Sequence, residues 1–537
     1  MVVFLVVLLA GRTTRKAKTG FPGRSWHSCQ NNRMPADQRI CFARMRCPMH
    51  IPYPERISYA WATTFATALF IVQIFEQTQL MFALCAFAFI LTATAAFNIA
   101  GGLDRPVGAY IFFNATLTAI VGLVVKACVG EPASSNLINP ERTMEVYLFG
   151  MLAMLFGAYV ESRFRPRKSF IQARLPMPSL RSVYIGSTAI ALFLKVIYAL
   201  AALGLISGSL IQTIYNGDHF LPFALILGVM YTIRSSHGQR SITPWLFFLF
   251  ALSTGEGLLS FSKQALFAPA FCWVLAAAIC RYRLKIVNII SLVIVAYVAY
   301  TYATPYSQYG RIFNEGGEVE NARLAVHLLT HMDEVVKANA ENTAGVYGKL
   351  AYYNHSMGLF DRLQMLSPDD ALIGVTEQYG PMGYEPLVES AENIIPRVFW
   401  PDKPFVYFGN LYGHQVGAIT DDDVYTSVSF GVSADLYREG GLTGVLLVAP
   451  LCMAAIFFVV SWFLGDVRSH PAAIIAVLVV AHTGPEGAVG GLFGMVATTQ
   501  YMVILAFACR YVLPVVSSIF DPEKAAPPTA ERTFGMA

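Results

Sequence analysis

Apolar residues fall in long blocks separated by short polar connections, and this sorting repeats along most of the chain. Twelve such blocks lie near 57–75, 80–101, 107–129, 144–161, 183–206, 219–234, 243–261, 264–281, 286–304, 441–464, 472–491 and 497–516. Crossing about 30 Å of hydrocarbon takes about 20 apolar residues in a helix, so each block predicts a membrane span. Between 305 and 440 the sorting changes. Ala322 to Ala340 has the pattern of an amphipathic helix, and Gln378-Tyr-Gly-Pro-Met-Gly-Tyr384 is aromatic and turn-rich. So long an interval with structural signals of its own predicts a folded cap rather than a linker. No repeat of fixed period is present, which argues against a solenoid or propeller. The predicted class is an all-α polytopic membrane protein of about 12 transmembrane helices, with a large external loop domain before the last three.

Basic residues give the orientation. The connections holding Asp104/Arg105, then Arg163, Arg165, Arg167, Lys168, Arg174 and Arg181, then Arg234 and Arg240, then Arg281, Arg283 and Lys285 alternate with connections poor in Lys and Arg. Such loops stay in the cytoplasm, so both termini are expected there and 305–440 faces outward, with the connections near Lys263 and Glu486. The expected organisation is a basic, disordered cytoplasmic tail over 1–56, helices one to nine over 57–304, the external domain over 305–440, helices ten to twelve over 441–516, and a cytoplasmic tail over 517–537. Met1 to Ala10 is too short to span, and Arg12, Arg15, Lys16, Lys18 and Arg24 follow it rather than precede it, the wrong order for a secretory signal. Met34, Met45 and Met49 offer later starts ahead of the first span.

Composition fits this setting: 55% of the 537 residues are hydrophobic and 13% charged, with a mean hydropathy of +0.51. A net charge of +4 is too small to suggest a nucleic-acid partner. The nine cysteines lack metal-ligand spacing; Cys85, Cys128, Cys272, Cys280, Cys452 and Cys509 lie in or beside apolar blocks, and 305–440 contains none, so no disulfide framework is implied. A phosphate-binding loop ending in Gly-Lys-Ser/Thr, His-Glu-x-x-His, paired Cys-x-x-Cys and a Gly-x-Ser-x-Gly elbow are all absent. Any reaction therefore draws on an activated substrate or a gradient.

Candidate chemistry concentrates in the outer interval. Glu392 to Pro404 reads Glu-Asn-Ile-Ile-Pro-Arg-Val-Phe-Trp-Pro-Asp-Lys-Pro. Arg397 offers a bidentate fork to phosphate oxygens and Lys403 a mobile point charge, beside Phe399, Trp400 and Asp402. A solvated loop is the competing reading, against which Pro396, Pro401 and Pro404 stiffen the backbone around both cations. Lys263 ends a Leu-Leu-Ser-Phe-Ser-Lys turn, as an interfacial anchor or a lipid-phosphate ligand, with Glu256 as its expected partner. Thr426 to Gly444 leads through small hydroxyl residues into Asp435, Arg438 and Glu439, which share a helix face at i, i+3 and i, i+4. The competing reading there is a surface ion pair at a helix end. Glu377, Glu389, His355, Asp361, Arg362 and His414 are weaker candidates, and Asp421-Asp422-Asp423 reads as a solvated acidic turn. His482 and Glu486 flank a Gly-Pro break, of the kind tolerated where backbone lines a cavity; helix termination is the alternative.

Together the span pattern, the Ile-Pro-Arg-Val-Phe-Trp-Pro-Asp-Lys-Pro segment and the Ser-rich approach to Asp435-Leu-Tyr-Arg-Glu-Gly-Gly-Leu-Thr-Gly-Val resemble the O-antigen polymerase family. The resemblance covers roughly 57–516 and is specific over about 390–446; the first fifty residues have no counterpart in it. It implies glycosyl transfer at the periplasmic face of a bacterial inner membrane, between a glycan on undecaprenyl diphosphate and a lipid-linked repeat unit. No cofactor, metal or nucleotide sugar is implied; membrane lipid and a chain-length regulator protein are the expected partners. Arg397, Lys403, Arg438 and Lys263 would stabilise the departing diphosphate. Glu377, Glu389 or His414 would serve as general base. Trp400, Asp402, His414, Asp435 and Glu439 are expected to help bind substrate. A lipid-to-acceptor glycan ligase shares this architecture. A flippase or transporter would instead carry inverted repeats and mid-membrane charge, and neither is evident.

Overall fold

The computed structural model describes residues 50–202, 204–205, 219–313, 318–344, 364–396, 399–400, 403, 408–419, 422 and 427–520. Among these the regular structure is helical, with two isolated bridges, His50 to Arg283 and Phe430 to Gly487. In chain order the apolar helices are α1 (Tyr59–Phe75), α2 (Leu80–Ala100), α3 (Pro106–Val129), α4 (Pro140–Phe164), α5 (Leu180–Ala202), α6 (Phe220–Ser235), α7 (Pro244–Leu259), α8 (Lys263–Ile279) and α9 (Ile286–Arg311). Then come the more polar α10 (Glu318–Thr330), α11 (Met332–Ala344), α12 (Leu366–Tyr379), α13 (Glu385–Glu392) and α14 (Phe408–Gln415). The chain closes with α15 (Val432–Phe463), α16 (Pro471–Glu486) and α17 (Ala488–Phe520). Among the described residues seven helices, α2 to α5, α9, α15 and α17, are long and apolar enough to cross a membrane, and α1, α6, α7, α8 and α16 are shorter apolar helices. This is an α-helical membrane protein.

Local chemistry sets the helix starts. Proline opens α3, α4, α7 and α16, where its missing N–H costs nothing and its fixed φ suits the first turn. In the bundle centre small residues permit close approach: Ala83, Ala86, Ala93 and Ala96 of α2 are buried with Gly150, Ala153, Gly157 and Ala158 of α4, and α4 packs on both α2 and the later half of α15. At the periphery, Ile286 to Val298 of α9 buries no residue and exposes Ile290, Val293 and Ile294, a surface suited to lipid tails.

The basic connections gather at one end of the bundle. There Arg468 bridges Glu55 (2.8 Å) and Asp104 (2.9 Å), Lys285 Nζ donates to Gln239 O (2.6 Å), and Ser169 Oγ donates to Leu464 O (3.2 Å). The stretch expected as the end of a disordered tail differs from that reading. Residues 50–56 are tied into this end: Ile51 is buried, Tyr53 Oη donates to Leu103 O (2.6 Å) and His50 Nδ1 lies 3.1 Å from Tyr282 O. Residues 1–49 and 521–537 lie outside the described residues.

The opposite end, one helix length away (roughly 36 Å for the 24 residues of α3), carries the polar interval. The single amphipathic helix expected over 322–340 is two, α10 and α11, joined at His331, with Ala325, Leu328 and Val335 packed around Phe261 and Tyr306. Helices α12, α13 and α14 form a separate group: α12 rests on α4, α14 and the start of α15, and α13 rests on α15 and α17.

Candidate functional site

The centre of this second group is the first eight residues of α15. Val432 to Glu439 are all buried, and the helix breaks at Gly441, whose φ of 60° and ψ of −142° suit a residue without Cβ. The surface ion pair considered for Asp435, Arg438 and Glu439 is therefore not what forms. They do share a helix, as their spacing predicts, but below the surface and with separate partners.

Asp435, fully buried, accepts from Tyr412 Oη through Oδ1 (2.5 Å) and from Val489 N through Oδ2 (2.8 Å). Val489 lies in the first turn of α17, where backbone N–H groups have no helical acceptor and favour an anion. The Gly-Pro break before it supplies this arrangement: α16 ends at Glu486, and Ala488 N donates to Phe430 O (3.0 Å). Burial, with the Asp435 carboxylate next in effect, pushes the Tyr412 phenol up from its ordinary pKa.

Arg438 donates through Nε to Gln415 Oε1 (2.9 Å) and through Nη1 to Gly380 O (2.6 Å). Its peptide oxygen and that of Glu439 accept from Met382 N and Gly383 N, both at 2.9 Å, so the 380–384 link closes over the helix end. The Glu439 carboxylate is buried, at 1% exposure. The backbone of Leu387 faces it, but neither oxygen has a regular hydrogen-bond partner among the described residues.

Two acids absent from the sequence-based candidates join α12 to this centre. Asp369 Oδ1 accepts from Gly431 N (2.8 Å) and Oδ2 from Tyr147 Oη (2.5 Å), while Gly431 leaves no room there for a Cβ. Asp370 accepts from Ile138 N, from Asn139 N (2.9 Å) and from Thr143 Oγ1 (2.7 Å), covering the N-terminal end of α4. Burial pushes Asp369 up from 3.8 to about 7, aided by the nearby Asp435 and Asp370 carboxylates and opposed by its two donors. Burial likewise raises Asp370, against its own donors. The available sequence signal was Ser367-Pro368-Asp369-Asp370 opening a helix, with no sign that α4 and residue 431 would meet it.

Glu377 belongs to a neighbouring network: it accepts from Tyr437 Oη and pairs with Arg142 Nε (3.4 Å), which also holds Glu145 (2.6 Å). Glu389 on α13, His414 on α14 and Trp400 are half-buried nearby, and Phe399 is 80% exposed. Lys403 is buried, not a mobile surface charge: Nζ donates to Asn393 O (3.1 Å) and Ile395 O (2.8 Å), closing the turn around Pro396. Gln500 of α17 donates to Ile394 O (3.3 Å) and seats that turn on the bundle. His482 lies 3.9 Å from Glu486, which also accepts from Ser429 Oγ (3.4 Å).

Lys263 lies apart from this centre, in the turn that packs with Tyr306 and α10. Glu256, its expected partner, pairs with Lys195 (3.0 Å). Arg397, Asp402, His355, Asp361, Arg362, Asp421 and Asp423 lie outside the described residues. The arrangement that remains is a buried centre of carboxyls, phenols and one guanidinium where the polar helices meet the bundle, able to bind an anion and to exchange a proton. No protein-family model, curated protein or solved structure matches this chain.

Proposed function

We propose that this protein is a membrane glycosyltransferase that joins diphosphate-lipid-linked oligosaccharide repeat units into a polysaccharide, at the periplasmic face of a bacterial inner membrane. The observation that carries this reading is the buried Asp435–Arg438–Glu439 helix at the junction of polar layer and bundle. Those residues stand in the segment whose sequence resembles the O-antigen polymerases. In this reading all twelve apolar helices cross the membrane, and the end carrying α10 to α14 faces outward.

The chemistry is an exchange at an anomeric carbon. A sugar hydroxyl of the incoming unit attacks, and the bond to the lipid diphosphate breaks with its electron pair on the phosphate oxygen. Charge grows on that oxygen, and fixed cations beside it lower the barrier. Arg438 is held for this by Gln415 and Gly380. Asp435 is held by Tyr412 and Val489, and it orients the helix rather than reacting.

Full-length protein in detergent, given the lipid-linked oligosaccharide fraction from cells lacking it, is expected to yield a ladder of polymer without added nucleotide. A requirement for nucleotide sugar, or solute flux without new glycan, refutes the reading. Transfer of a single glycan to a different acceptor would identify a ligase.

A further inference from the structure

We infer that Glu439 is the group that takes the proton from the attacking sugar hydroxyl, an inference that rests on the glycosyltransfer reading above. Its carboxylate is 1% exposed, and among the described residues neither oxygen has a regular hydrogen bond, the Leu387 backbone being the polar group that faces it. Burying such a group without partners works against folding, so stability alone gives no reason for its presence. A hydroxyl donor brought by substrate supplies what is missing.

The other acids at this centre are already engaged. Asp435 uses both oxygens, on Tyr412 and Val489. Asp369 uses both, on Tyr147 and Gly431, and Asp370 uses both on the start of α4. Glu377 is held by Tyr437 and Arg142. Lone pairs occupied by donors are weaker proton acceptors, which leaves Glu439 as the fully buried acid with free acceptor capacity; Glu389 is only half-buried. It stands on the same turn of α15 as Arg438, so a substrate whose diphosphate reaches the guanidinium comes within one helical turn of Glu439.

Access runs through a thin cover. The 380–384 link lies on the surface with Met382 and Tyr384 exposed; amide hydrogen bonds from Met382 and Gly383, the Arg438 Nη1 bond to Gly380 O (2.6 Å) and a Tyr384 Oη–Thr443 Oγ1 contact (3.3 Å) hold it to α15. A shift of Met382 and Gly383 away from α15 would open a way towards Glu439 while the Gly380 bond to Arg438 and the donors to Asp435 stay in place. In the reaction the hydroxyl O–H bond breaks and its proton passes to a Glu439 oxygen. The hydroxyl oxygen bonds to the anomeric carbon, the diphosphate leaves with the electron pair, and Glu439 later returns the proton to water.

The test uses full-length protein and the extracted lipid-linked oligosaccharide fraction, with Glu439→Gln, Glu439→Ala and wild type at equal amounts. Glu439→Gln is expected to lower turnover at saturating substrate by roughly a hundredfold or more, with half-saturation little changed and the melting temperature unchanged or higher. Formate, supplying a carboxylate to the vacated space, is expected to restore turnover to Glu439→Ala. Near-normal turnover in Glu439→Gln overturns the inference while wild-type polymer keeps the function. Loss of turnover together with a lower melting temperature, or no response of Glu439→Ala to formate, assigns Glu439 a structural role and overturns it too. Absence of a wild-type ladder overturns both.

Discussion

Asp369 links α12, α4 and the residue that begins the buried helix, and its burial makes this link depend on pH. The fully buried carboxyl is pushed from 3.8 to about 7, by burial first and then by Asp435 and Asp370. When α12 undocks, Asp369 meets water and titrates as an ordinary aspartate. Between pH 4 and 7 the docked form thus retains a proton that the undocked form has lost. Stability is fully present below the lower value and falls as pH rises through the window, by about 1.4 kcal/mol per pH unit and on the order of 4 kcal/mol in all. Protonation at Oδ2 reverses the 2.5 Å bond that the carboxylate accepts from Tyr147 Oη, so that Asp369 donates and the tyrosine oxygen accepts. Asp369→Asn imitates that form, accepting from Gly431 N and donating to Tyr147 Oη. Amide hydrogen exchange, read by mass spectrometry on peptides from 366–379 and 427–440 and corrected for intrinsic rate, measures the undocking. Wild type and variant are expected to match near pH 4. At pH 8 the variant is expected to be better protected, by up to about a thousandfold. An equal pH response in both proteins, or a variant less protected at pH 8, refutes the reasoning.

Two further outcomes follow from named contacts. Lys126 and Glu131 form a buried ion pair, and Lys126 Nζ also donates to Ser135 Oγ (2.7 Å); Lys126→Met leaves a buried carboxylate uncompensated and is expected to cost about 3–5 kcal/mol in thermal or denaturant unfolding, most of it recovered by adding Glu131→Gln. Arg438→Lys keeps the charge but cannot hold Gln415 Oε1 and Gly380 O from two fixed nitrogens, so polymer yield at matched membrane abundance should fall by about tenfold or more.

Hydrophobic patterning made the helices legible because lipid leaves the backbone few options. A chain crossing hydrocarbon satisfies its own N–H and C=O groups, and a helix does so locally, so runs such as Leu80–Ala100 and Pro140–Phe164 declare themselves without knowledge of their neighbours. Helix spacing likewise placed Asp435, Arg438 and Glu439 on one element, since i, i+3 and i, i+4 relations are fixed by the turn. The gathering of basic connections at one end was also readable, because each span reverses direction.

What tertiary structure decided is which of those polar groups meet, and how deeply they are buried. Asp435 is 54 positions from the Val489 amide, Asp369 is 222 from Tyr147, and Asp370 is 227 from Thr143. No local rule pairs residues so far apart. Burial followed the same logic: Lys403 has the composition of a solvated loop cation, yet the carbonyls of Asn393 and Ile395 close around it. Glu439 has the composition of a helix-end charge, yet it is 1% exposed, with the Leu387 backbone of α13 facing its carboxylate. The chain encodes its helices through backbone hydrogen bonds satisfied within a few residues, whereas the candidate site depends on the free energy of packing separate helices together, and so became visible only when α4, α12, α14, α15 and α17 were placed in contact.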